Sequence, residues 1–179
     1  SPVIFQAQDR DIVEEAFPGD IIGLHDNGKL QIGDTFTEGE KFLYTGIPQF
    51  APEIFMRVLL KDPLKAKHLE KGLQQLSEEG AVQLFTKYRL TDKILGAVGM
   101  LQFDVVKFRL EDEYNVRGSY ESVPLNSVRW LKFQDEKQQD DFCSVNSSSL
   151  VTDNKNRLCL AVRSEWDLKL IEEKNPEVR

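Results

Sequence analysis

Residues 93–123, KILGAVGMLQFDVVKFRLEDEYNVRGSYESV, leave few folds open to this chain. Ile94, Leu95, Ala97 and Val98 form an apolar run too short for a free-standing helix, punctuated by Gly96 and Gly99. Such a run between turn signals suits a buried strand. After Gly99 the period changes. Met100, Phe103, Val106, Leu110 and Tyr114 recur at the three- and four-residue steps of one helix face. Leu101, Val105 and Phe108 fall on nearly the opposite side, so the spacing predicts a helix packed on two sides. Asn115 ends it, because Asn tolerates the left-handed conformation at a helix end. Residues 116–123 then read as a second strand.

The residues just upstream supply the partners for this unit. Residues 54–60 read as a strand whose one charge is Arg57. Asp62 is a helix cap, and Pro63 suits the first helical position, where its missing N–H costs nothing. Ala66, Leu69, Leu73 and Leu76 make the buried stripe, and Gly80 is the left-handed cap that ends the helix. Val82, Leu84 and Thr86 alternate as a strand. Residues 54–123 therefore follow the β-α-β-β-α-β order of a ferredoxin-like domain. Right-handed crossovers place both helices on one face of a four-stranded antiparallel sheet.

After Pro124 the order begins again. Val128, Trp130 and Phe133 mark a strand, and Asp135 caps a short polar helix. Leu150 and Val151 start a short strand, and residues 153–156 form a hairpin turn. Leu158, Leu160 and Val162 make the return strand. Ser164 caps a last helix carrying Trp166, Leu168, Leu170 and Ile171, which Pro176 stops. This second half is β-α-β-β-α, and the expectation is that it docks on or near the Leu101–Val105–Phe108 side of the first half's helix, making one compact body of residues 47–179.

Residues 1–46 show no helical period. Residues 3–6 are extended, and Asp9, Arg10 and Asp11 read as a polar turn before a strand over 12–16. Pro18-Gly19-Asp20 is a turn, followed by a strand at Ile21, Ile22 and Leu24. Asp26-Asn27-Gly28 turns again, Leu30 and Ile32 alternate about Gln31, and Gly33 and Gly39 set off strands at 35–36 and 42–45. The pattern is all-β. About 45 residues carry too small a core to stand alone, so the segment reads as the tail of a barrel, and the chain as a piece cut from a longer protein. The expected division is 1–46 for the barrel strands and 47–179 for the α+β domain, the latter in halves at 47–123 and 124–179.

The chemistry visible in the sequence is sparse. The net charge of −7 argues against nucleic-acid binding through bulk charge. No run of about 18 apolar residues is present, so no membrane partner is expected. No charged-then-apolar leader opens the chain. Cys143 and Cys159 fit no zinc spacing and no disulfide framework, which favours a reducing, cytoplasmic setting. The phosphate-binding loop G-x-x-x-x-G-K-[ST] is missing, and Gly96 and Gly99 fit a close strand-to-helix turn instead. His25 and His68 have no partner at ligand spacing. Asp135, Glu136, Asp140 and Asp141 lack the glycine and spacing of a calcium loop. No catalytic residue, cofactor site or metal site is expected, and a monomer is the expected state. Arg57, Lys61, Lys65, Lys67 and Lys71, with His68, gather cations around the first helix and its entry. They are the candidate contacts to structured RNA.

Four phrases carry a family resemblance: FPGDIIGLHDNGKLQIGDTFTEGE, TGIPQFAPEIF, LKDPLKAKHLEKGLQQLSEEGAVQLF and GAVGMLQFDVVKFRLEDEYNVRGSYESV. In order and spacing they resemble the peptide chain release factor 3 family of translational GTPases, densely from about residue 13 to about residue 130. The last phrase is also similar to the third domain of elongation factor G, and PGDIIGL to the barrel strand of that superfamily. The resemblance implies a barrel end plus third domain, contact with the ribosome and with class I release factors, and a role in releasing those factors at termination. It places the GTP site in an upstream domain, so this region is expected to be non-catalytic. Two alternatives stand beside it. A stand-alone RNA-binding module of this order needs the aromatic K/R-G-F/Y-G/A-F-V-x-F/Y strand, which residues 82–88 and 94–99 do not supply. A small ferredoxin-like enzyme needs an arginine-bearing anion loop after the first strand, and Leu60-Lys61-Asp62-Pro63 is not one.

Overall fold

The computed structural model describes residues 3–6, 9–12, 15–23, 33–42, 44 and 50–178. The chain divides into two compact units, Ser1–Thr45 and Gly46–Arg179.

The first unit holds a three-stranded antiparallel sheet of order β2-β1-β3, with β1 at Val3–Gln6, β2 at Asp9–Ile12 and β3 at Ile22–Gly23. The expected turn at Asp9–Asp11 is a strand instead. Its backbone pairs with β1, and an edge strand with a single neighbour accepts polar residues. The turn at 18–20 forms, with Gly19 at φ 101° and the Asp20 carboxylate accepting from the Phe17 N–H at 2.8 Å. Among the described residues of 33–44 no strand forms where two are expected. Tyr44 N–H donates to the Thr35 hydroxyl, and the Phe42 and Tyr44 rings meet edge to face. Asp26-Asn27-Gly28, Leu30, Ile32 and the 46–47 boundary lie outside the described residues.

The second unit is built on β4 (Ile54–Leu60), β5 (Gln83–Lys87), β6 (Lys93–Ala97), β7 (Gly118–Ser122), β8 (Ser127–Trp130), β9 (Leu150–Asp153) and β10 (Leu158–Val162). They form one antiparallel sheet, β7-β4-β6-β5-β9-β10-β8. The helices are α1 (Ala66–Glu78), α2 (Met100–Tyr114), α3 (Glu136–Asn146) and α4 (Glu165–Lys174). The first four strands take the ferredoxin-like order. The second half repeats it without a last strand.

Local chemistry explains the helices. Asp62 accepts from Leu64 N–H, and Pro63 opens a short 3-10 turn that leads into α1. Gly80, at φ 74°, carries the chain away from α1, and Asn115, at φ 53°, ends α2. Gln102 reaches back from the first turn of α2 to accept from the Val98 and Gly99 N–H groups. Asp135 and Ser164 cap α3 and α4.

The halves make one compact unit, as expected, but they do not join across the outer side of α2. Leu101, Val105 and Phe108 are 77%, 52% and 68% exposed, so α2 is packed on one side only. The second half joins at the free edge of β5, where Thr86 faces Thr152. It also touches α1, through Asn154 to Ser77 and Gln74. An open strand edge is a row of unpaired backbone groups, and β9 satisfies them.

The register places Leu84 of β5 and Leu150 of β9 on the same side of the sheet. Leu84 packs with α1 and α2, among Leu69, Leu73, Leu76, Phe103, Val106 and Leu110. Leu150 packs with α3 and α4, among Phe142, Cys143, Leu160, Leu168 and Ile171. Both helix pairs therefore lie on one face. The other face buries Phe55, Phe85, Ile94, Val128, Val151, Cys159 and Ala161 with no helix over it. Curling explains this. Val123 N–H donates to Phe55 O of β4 at 2.9 Å, and Asn126 N–H donates to Val162 O of β10 at 2.8 Å. Three residues of chain reach at most about 11 Å. In a flat sheet those strands would stand four spacings, about 19 Å, apart. The sheet bends until this face packs against itself, and Val123 and Leu125 help to fill it.

Candidate functional site

The α1 entry collects the cations. Lys61 follows β4 in a bend, Lys65 ends the 3-10 turn, and Lys67 and Lys71 stand four residues apart on the exposed side of α1 beside His68. Among the described residues none of the four lysines has a carboxylate within ion-pair distance. The nearby Glu70 is engaged by Lys93 at 3.0 Å, and Asp62 is engaged as a cap. The corner is therefore positive on a chain of net charge −7.

Arg57 is placed elsewhere. Strand alternation sends it to the face opposite the helices, beside Phe55, and it pairs with Glu121 at 3.6 Å and Asp92 at 3.9 Å. Two carboxylates offset its charge. Lys61, Lys65, Lys67 and Lys71 follow one another from the end of β4 through the 3-10 turn into α1, whereas Arg57 lies within β4 on the face opposite the helices.

Arg117 joins the lysine group, and the sequence reading missed it. It is exposed at the entry of β7, and its carbonyl accepts from Lys61 N–H at 3.4 Å. The signal was the antiparallel pairing of the end of β4 with the start of β7, which sets residue 117 next to residue 61.

Other titratable groups are structural. Arg109 binds Glu79 and Glu113, clamping the end of α1 to α2. Hydrogen bonds to those two carboxylates raise its pKa, and the Arg109 bond lowers that of Glu113. Burial raises the Tyr120 phenol, and the Asp104 charge adds to this. Asp153 is buried and accepts from Trp130 Nε1, from the Lys155 and Arg157 backbone, and from Arg157 Nε. Burial pushes its pKa up, but these bonds outweigh it and hold the carboxyl below its ordinary value. Cys143 and Cys159 are buried free thiols, and burial pushes Cys159 up to about 12. A thiol so protonated is a poor nucleophile and ligand.

Among the described residues no group of three His, Cys, Asp or Glu side chains is placed to hold a metal ion. None of the described helices is long and apolar enough to cross a membrane. His68 stands exposed on α1, and His25 lies outside the described residues. Among the described residues the arrangement offers a charged contact surface and no array of acid, base and nucleophile.

Comparison with known proteins gives two family matches. Residues 44–172, well over half the chain, match the model of the class II release factor RF3, C-terminal domain. Residues 1–39 match the model of elongation factor G domain 2. Among solved structures, a Thermus thermophilus protein of known crystal structure superposes with a TM-score of 0.58 at 24% identity. The match covers 72% of this chain and 20% of that one, and it speaks to the fold alone.

Proposed function

We propose a function from one premise: this chain belongs to the class II release factor RF3 family, within the translation-factor GTPases. On that premise the region is a non-catalytic contact module. It binds the ribosome in the cytoplasm and helps class I release factors leave after the peptide has been freed. GTP is handled by a part of the protein other than these residues. The observation that carries this reading is the family match across most of the second unit.

Two features support it. The sequence contains no complete G-x-x-x-x-G-K-[ST] motif, the loop whose backbone N–H groups and lysine phosphoryl transfer relies on. The unpaired cations Lys61, Lys65, Lys67, Lys71 and Arg117 suit a local, salt-sensitive contact with ribosomal RNA in an otherwise acidic chain.

The test is a reconstituted termination reaction. A longer protein carrying these residues should recycle class I release factors, and the same protein ending at residue 45 should not. Calorimetry of the present chain with GDP should show no binding. Full recycling by the shortened protein, or micromolar GDP binding here, would overturn the assignment.

A further inference from the structure

Helix α2 carries an apolar stripe that nothing in its own unit covers. Leu101, Val105 and Phe108 follow one another at steps of four and three, and all are more than half exposed. Val98 and Met100, at the start of the helix, are also exposed, at 44% and 51%. Contiguous exposed apolar patches of this kind mark interaction sites. The stripe also has a charged border. Asp112 continues it one turn beyond Phe108, and Asp104 and Glu111 run alongside, three residues from Leu101 and Phe108 respectively. All three acids are exposed, and none forms an ion pair among the described residues. Arg109, on the other flank, is already held by Glu79 and Glu113, and exposed Lys107, three residues from Asp104 and four from Glu111, leaves the border a net charge of two negatives.

We propose that this face of α2 is a docking surface for a basic protein segment, an amphipathic helix whose apolar ridge is flanked by lysine or arginine. The ridge fills the Leu101–Val105–Phe108 stripe, and the flanking cations meet Asp104, Glu111 and Asp112. Helix-in-groove recognition uses this spacing of anchors. The charge pattern selects the occupant. RNA and anionic lipid both carry negative charge that three unpaired carboxylates repel. A second copy would bring two such borders together.

The probe is a fluorescein-labelled peptide of leucine and lysine, about four turns of helix long. A control peptide keeps the leucines and replaces every lysine with glutamate. Anisotropy titrations use the full chain. The lysine peptide should bind at least about tenfold more tightly than its control. Leu101→Ser with Phe108→Ser should remove that binding, as should Asp104→Asn with Glu111→Gln and Asp112→Asn. These side chains are exposed, so the fold is not at stake. Equal affinity for the two peptides, or binding indifferent to either set of changes, would overturn the proposal. So would self-association in sedimentation, or binding to phosphatidylserine vesicles or a short RNA, if Leu101→Ser with Phe108→Ser abolished it. Those results would assign the stripe to another occupant.

Discussion

Thr86 of β5 stands directly opposite Thr152 of β9, and through that pairing two half-domains share one sheet. Neither residue is apolar. What the pairing secures is the backbone of an otherwise open edge, and with it the buried face beneath.

Removing the second half should therefore unmake more than its own core. A chain ending at residue 123 leaves Phe55, Phe85 and Ile94 without Val128, Val151, Cys159 and Ala161. It also reopens the β5 edge. The shortened chain should aggregate or bind a hydrophobic dye. A monomer with an unchanged unfolding midpoint would show the halves to be independent.

The two sides of α2 should answer differently to truncation. Leu110 is 3% exposed and packs against α1, so Leu110→Ala should cost about 2–5 kcal/mol in urea unfolding. Leu101→Ala should stay within about 0.5 kcal/mol. Similar losses for the two would mean that the exposed stripe is covered in solution.

That contrast shows where the sequence is legible. Periodicity identified both apolar faces of α2, and the caps at Asp62, Asn115, Asp135 and Ser164 were readable because each acts within a few residues. Periodicity does not say what covers a face, so the second side was assigned a neighbour that went to the β5 edge instead. Strand-edge pairing leaves little local trace when the facing residues are Thr86 and Thr152. The polarity of Asp9–Asp11 suggested a turn, and backbone pairing made a strand. Arg57 was grouped with the lysines by proximity along the chain. Counting alternation from the Phe55 side would have sent it to the other face.

Close helix packing should make Gly72 intolerant of a methyl group. A Cβ there would sit 2.8 Å from Leu110 Cδ2 and 3.0 Å from Tyr114 Cγ. Leu110 is in the core, and Tyr114 is tied by its hydroxyl to Gln75. Ala is favoured over Gly in a helix by about 1 kcal/mol. Overpacking costs about 1–3 kcal/mol, so Gly72→Ala should be destabilising on balance. A raised melting temperature would show that α1 and α2 can move apart freely.

The Asp153 hub predicts an acid-sensitive step. Its folded pKa lies below the unfolded value, so its contribution is present above about pH 4 and fades as pH falls through the lower folded value. The urea midpoint should drop over that range, and Asp153→Asn should flatten that part of the profile. Asp153→Ala, which strands Trp130 Nε1 and two backbone N–H groups, should cost about 2–4 kcal/mol at neutral pH. A pH profile identical in wild type and Asp153→Asn would contradict the depressed pKa.

The role of the lysine corner is open to direct measurement by sedimenting this chain with purified ribosomes across a series of salt concentrations. Co-sedimentation is expected at low salt and should fall as salt rises, with a log–log slope of about −3 for about four phosphate contacts. The combined changes K61E, K65E, K67E and K71E should abolish it, while R57Q, on the other face, should leave it intact. Failure to sediment at low salt, or undiminished binding by the variant with all four changes, would contradict a ribosome contact through this corner.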